Sequence, residues 1–351
     1  MPIHFELLER ICATPGAPGH ESPIRQLVAD ELRPYVDALE IDPLGNLYAI
    51  KKGKRNPDGK RILLAAHLDE ISFIVHHIDD RGFIRFKPLG GFDPKALTSM
   101  KVVIHGRKPV MGIMGSKPIH MMSAEERTKM PKLSDFYIDT GLPKETLQES
   151  VAVGDVVTRH QEFLRLGELV CMKSLDNRSS VFVLAEAMKR LGDCPYDVYA
   201  AFTVQEEVGI RGAQVAGHYV DPDFGLALDV TIANDTPGAS PPDYITELGK
   251  GVAIKIMDRE TICDVRMVRY LKEVAEEERI GWQTEILEFG GTDTKGLQRS
   301  GKRGAIAGAL SIPVRYIHQT TETAHAADID ACIRLTAAAI ERLDRFDWSH
   351  R

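Results

Sequence analysis

Two short apolar runs, ILLAA at 62–66 and VYAAF at 198–202, constrain this chain more than any other feature. Neither approaches the ~18 apolar residues that a membrane helix requires. Both are too continuous for a strand with one face in water, where apolar and polar residues alternate. Runs of this kind suit strands covered on both faces, inside a parallel or mixed sheet with helices on each side.

The texture around these runs predicts the rest of the architecture. Residues 5–13 and 22–32 read as helices around a Pro/Gly break, and 47–51 and 61–67 as strands. From 71 to 162 the chain turns to short β-rich pieces (71–78, 83–88, 101–105, 110–114) separated by turn signals such as Asp80-Arg81-Gly82. Regular alternation then resumes. Strands are expected at 169–173, 197–204, 224–230, 252–257, 283–287, 304–310 and 314–318. Helices are expected at 177–191, 211–219, 261–280 and 330–346. This predicts a discontinuous α/β domain, 1–70 and 163–351, interrupted by an inserted small β-domain at 71–162.

Composition narrows the function. The 351 residues carry 44 Lys+Arg against 51 Asp+Glu, a formal charge of −7, so no basic footprint for nucleic acid is expected. With 43% hydrophobic and 27% charged residues the chain has enough apolar content to fold. The opening stretch carries Glu6 and Glu9 and no basic segment, so no secretory signal and no membrane association are expected, and the location is read as cytoplasmic. The five cysteines are scattered without a CxxC pair, which argues against a disulfide framework or a thiolate zinc site.

The residues able to do chemistry fall where strands end: His67-Leu68-Asp69-Glu70, Leu175-Asp176-Asn177-Arg178, Gln205-Glu206-Glu207, Leu228-Asp229-Val230 and Tyr316-Ile317-His318. Two histidines and three carboxylates form a donor set for two divalent ions. Mixed imidazole and carboxylate favour zinc, cobalt or manganese over calcium, which prefers oxygen alone. One carboxylate can bridge ions ~3.5–4 Å apart. An aspartate two residues after His67 can accept the second ring N–H and fix the tautomer. Of the adjacent Glu206 and Glu207, one can bind an ion while the other takes a proton. Taken singly, Asp176 also reads as a helix cap, the Glu pair as solvated surface, and each histidine as a packed core residue. On spacing alone both readings stay open.

The stretches HLDEISFIV (67–75), SLDNRSS (174–180), VQEEVGIRGA (204–213), ALDVTIANDTPG (227–238), EFGGTDTKGLQ (288–298) and VRYIH (314–318) resemble the glutamyl and tetrahedral aminopeptidase family of dinuclear metallopeptidases. The likeness continues through KPIHMM (117–122) and YIDTGL (137–142). The resemblance implies a three-layer α/β/α exopeptidase domain with a PDZ-like or β-barrel insert used in assembly. It implies that His67, Asp176 and Asp229 hold one ion, and that Asp176 bridges to a second held by Glu207 and His318. Glu206 would be the general base and Asp69 would orient His67. The implied cofactors are two divalent ions per subunit, zinc first, with cobalt or manganese as alternatives. The implied partners are peptide substrates and further copies of the chain, as dimers building a dodecamer.

One departure stands out. The family commonly follows the last metal histidine with Ser-Pro and then Glu, whereas this chain reads His318-Gln319-Thr320-Thr321-Glu322, with His325 nearby as a rival ligand. Two other classes remain to be weighed. Some relatives carry an endoglucanase label, and paired carboxylates also serve glycoside hydrolysis, at ~5–9.5 Å apart. A non-catalytic assembly subunit would be missing ligands or the base.

Overall fold

The structure, a computed structural model, describes residues 3–350. Eleven strands among them form one mixed sheet. Its centre is parallel: Asp197–Thr203, Arg61–His67, Phe224–Ile232 and Ile306–Arg315 lie side by side in that order. The apolar runs behave as expected of strands covered on both faces. Ile62, Leu64 and Ala66 pack into a core with Leu7, Ile24 and Phe182, while Leu63 and Ala65 face Ala213, Ala216 and Leu297. Burying each Leu or Ile of such a strand stabilises the fold by about 1.5–3 kcal/mol. The result is a three-layer α/β/α body, with helices Phe5–Ala13, Ser22–Leu32, Leu175–Arg190, Val265–Glu277 and Ala326–Glu341 on one face. Arg211–Val220 and Thr294–Arg299 cover the other.

A closed six-strand barrel interrupts this body. Ser72–Ile78, Ile84–Leu89, Tyr137–Asp139, Pro109–Gly115, Lys101–His105 and Val156–Arg159 follow one another round it. It has a core of its own, built on Phe73, Ile84, Val102, Ile104, Ile138 and Val157. No helix among the described residues is long and apolar enough to cross a membrane. All five cysteines are free and buried.

Several elements differ from their sequence-based bounds. The expected strands 304–310 and 314–318 form one strand, Ile306–Arg315, running through Pro313. Pro313 is tolerated because the neighbour on one side changes there. Val252–Met257 pairs with Leu310 and Ser311, Glu322–His325 pairs with Val314 and Arg315, and Pro313 lies between the two ladders. The strand Glu322–His325 itself was not expected, and the final helix starts at Ala326 rather than 330. The helix expected over 261–280 is Val265–Glu277. The Asp264 carboxylate accepts the Arg266 N–H at its start, and Arg279, at φ 52°, turns the chain away after its end.

Candidate metal centre

The central strands bring their chemistry to one level. Thr203 pairs opposite His67, and Ala65 opposite Ala227, so Asp229, two residues further on, comes level with His67. Side chains alternate along a strand, so His67 and Asp229 share the face of Ala65 and Ala227. Asp176 enters from the start of Leu175–Arg190, where Asp176 and Asn177 depart from helical geometry. It is therefore not a simple cap, and its backbone N–H donates to Glu322 Oε2 at 2.9 Å.

Asp176 stands between two imidazoles. Its Oδ1 is 3.4 Å from His67 Nε2, and its Oδ2 is 3.3 Å from His318 Nε2. Asp229 Oδ1 approaches His67 Nε2 at 3.8 Å, and Glu207 Oε2 approaches His318 Nε2 at 3.6 Å. Donor atoms of His67, Asp176 and Asp229 lie within 4.8 Å of one another, as do those of Asp176, Glu207 and His318. The donor chemistry suits divalent ions. Glu207 Oε1 is also buried without a hydrogen-bond partner, an acceptor for which the protein supplies no donor.

His67 Nδ1 lies 3.1 Å from the backbone carbonyl oxygen of Asp69, closer than the 3.6 Å to that residue's carboxylate. A carbonyl only accepts, so Nδ1 carries a proton, and Nε2 is the ring nitrogen turned to Asp176 and Asp229. The Asp69 carboxylate, which also faces Nδ1, accepts the N–H of Glu206 and of Glu207, at 3.0 Å each. This forks the two side chains. Glu206 Oε2 turns towards His67 Nε2 at 3.8 Å, and Glu207 towards His318.

His318 does not end a strand. The strand stops at Arg315, and Tyr316 and His318 both take left-handed backbone, at φ 62° and 65°. His325 lies at the end of Glu322–His325, where its Nδ1 accepts the Ala327 N–H and its Nε2 faces Glu168. His325 therefore caps the final helix instead of joining the cluster.

The crowding of carboxylates shows in their proton affinities. Burial, with the Asp176 charge added, pushes Glu207 up to about 8, and burial with Asp176 pushes Asp229 up to about 7. Glu206 is raised by burial, reinforced by Asp229 and Glu207. Burial alone would lower the histidines. The carboxylates outweigh it, raising His67 well above the usual range and His318 to about 9. Asp176 is held down, because both histidines overcome its burial. The cluster thus binds protons where divalent ions would otherwise neutralise it.

The cluster lines a cleft of ≈ 700 Å³ together with Ile232, Arg259, Leu287 and Phe289. A cleft of this size with convergent polar groups has the dimensions of a small-ligand site. The sequence profile of M42 glutamyl aminopeptidases matches residues 45–335. The chain belongs to the M42 glutamyl aminopeptidase family.

Named relatives agree. The lysyl aminopeptidase of Pyrococcus furiosus is 33% identical over 354 residues, covering 99% of each chain. The structure of an aminopeptidase from Desulfurococcus kamchatkensis superposes with TM-score 0.92 at 36% identity, covering 96% of this chain and 94% of that one. The TET1 peptidase of Pyrococcus horikoshii, described as assembling into a tetrahedron or a large octahedral shell, gives TM-score 0.85 at 32% identity. That match covers 96% and 98% of the two chains. An M42 peptidase is a hydrolase, so the non-catalytic reading loses its ground here, while the endoglucanase label recurs on a solved structure 30% identical to this chain, a putative peptidase/endoglucanase covering 96% of it at TM-score 0.75.

Sequence reading missed the residues behind this M42 site. Glu322 is wholly buried, and its Oε1 accepts the His318 N–H at 3.1 Å. Glu70 is also buried, pairing with Lys173 at 2.8 Å and accepting the Ser174 hydroxyl. Asp293 accepts the Thr203 hydroxyl at 2.5 Å, leaves Oδ1 unpartnered, and is pushed by burial up to about 6. Only the short spacing from His318 to Glu322 offered a signal.

Proposed function

We propose that this chain removes residues from the N-terminus of peptides by metal-assisted hydrolysis at a centre of two divalent ions. The observation that carries this is Asp176, which turns one carboxylate oxygen to each of two imidazoles. His67, Asp176 and Asp229 would hold one ion, and Asp176, Glu207 and His318 the other, zinc first, with cobalt or manganese as alternatives. The chemistry such ions would supply is polarisation of the scissile carbonyl and acidification of water, toward ~7 in single-zinc sites.

The chain's own residues do the rest. Glu206 belongs to neither donor group, so its carboxylate takes the proton of the attacking water and returns it to the leaving amine. Asp69 holds Glu206 in place through the backbone, and its carbonyl fixes the tautomer of His67. The chain at 71–162 serves assembly, dimers building a dodecamer, in the cytoplasm.

The test is a panel of aminoacyl chromogenic substrates, assayed after EDTA treatment and again with zinc, cobalt or manganese restored, with light scattering on the same sample. Hydrolysis lost to chelation and restored by one of these ions is expected. Chelator-resistant cleavage of a glucan without peptidase activity would overturn the proposal.

A further inference from the structure

Behind the His318 ligand loop lies a residue that belongs to the barrel rather than to the sheet. Arg159 closes the last barrel strand, Val156–Arg159, and its side chain is wholly excluded from solvent. Its Nη1 donates to Glu322 Oε1 at 2.9 Å and to the carbonyl of Gln319 at 2.7 Å, and its Nη2 donates to Ser174 Oγ at 3.3 Å. Glu322 uses the same carboxylate to accept the N–H of His318 through Oε1 and of Asp176 through Oε2. One guanidinium thereby ties together the loop before Asp176 and the loop after His318.

We infer that Arg159 is a positioning residue for the Asp176–Glu207–His318 group, acting through Glu322, so that the barrel sets the geometry of that half of the centre. The inference rests on the dinuclear reading above. Three physical facts converge on it. His318, Tyr316 and Ser174 all hold left-handed backbone without being glycine, a conformation that persists only where the surroundings fix it. A guanidinium offers a planar fork able to serve several acceptors at once, which a lysine ammonium on a flexible stem does not reproduce. The barrel side also lies close to Glu207 and His318. A side chain at Gly90, where φ is +98°, would press on Ile71 at 2.6 Å and reach Glu207 at 3.4 Å, and one at Gly91 would reach the His318 ring at 3.7 Å. This chain lacks Ser-Pro after its histidine, so the carbonyl of Gln319 and the carboxylate of Glu322 are the anchors it has.

The experiment compares wild type, Arg159→Lys and the near-isosteric Glu322→Gln, in the full chain. Hydrogen exchange of the metal-free proteins is read on peptides spanning 174–178 and 316–322, and zinc affinity is measured by equilibrium dialysis. Both variants are expected to exchange faster in these two segments, with the rest of the sheet unchanged. They should bind one of two zinc ions about 10–100-fold more weakly, as typically follows loss of a partner behind a ligand, and kcat should fall more than KM changes. Unaltered exchange and two unaltered zinc affinities in either folded variant would overturn the inference. If Arg159→Lys does not fold, Glu322→Gln decides alone by the same readings. Wild type binding fewer than two ions would instead overturn the dinuclear reading, while the metal-free exchange still reports on Arg159.

Discussion

The carboxylate of Asp69 accepts the backbone N–H of Glu206 at 3.0 Å through Oδ1, while Oδ2 accepts the next N–H along the chain. Two adjacent glutamates thereby acquire different environments, one facing His67 and the other His318. Asp69→Asn replaces one acceptor by a donor that would oppose an N–H. Activity is expected to fall about 10–100-fold, with the fold retained by circular dichroism. Wild-type kinetics in this variant would remove Asp69 from the account.

Glu206 and Glu207 should separate cleanly under substitution. Glu206→Gln is expected to lose kcat by about 10²–10⁴-fold, the usual contribution of a general base, while keeping its metal content. Glu207→Gln should instead lose metal. Elemental analysis of both purified variants checks this, and near-normal turnover by Glu206→Gln would show the base to be another group.

His318 and His325 make a matching pair. His318→Ala should deplete metal and activity. His325→Ala removes the acceptor for the Ala327 N–H at the start of the last helix, costing about 0.5–2 kcal/mol of stability. It should leave turnover intact. Denaturant midpoints and steady-state rates on the two variants distinguish cap from ligand.

The metal-free protein should lose stability as pH rises from 6.5 to 8.5. Burial raises Glu207 to about 8 and Asp229 to about 7, so across this window the folded state binds protons that the unfolded carboxylates, ionised from about pH 4–5, do not. His318, raised to about 9 by its carboxylate neighbours, acts in the same direction. Its contribution is full below the ordinary histidine value and is lost as pH climbs through the raised one. Calorimetric melting of EDTA-treated protein at the two pH values measures this. A higher melting temperature at pH 8.5 would contradict the sign.

Part of the centre was legible because His67 ends a strand whose apolar run announces itself. ILLAA fixes where His67 sits, and the parallel register carries Asp229 to it. His318 was read as the end of a strand, but it lies in a loop beyond one. Its strand stops at Arg315, and left-handed backbone at Tyr316 leaves no hydrophobic pattern to read. The strand Glu322–His325 was invisible because four residues of mixed polarity owe their state to pairing with Leu169–Met172, 150 residues away in sequence. Arg159 carried no local signal at all. Its partners Ser174, Gln319 and Glu322 come together only when barrel and sheet meet.

The central claim is that Asp176 bridges two ions, and the direct measurement is zinc stoichiometry in wild type and Asp176→Asn by equilibrium dialysis with elemental analysis. Asparagine keeps one carbonyl oxygen and loses the second anionic donor. Two zinc ions per wild-type chain and no more than one in the variant are predicted. Two ions retained by Asp176→Asn at wild-type affinity would contradict the claim.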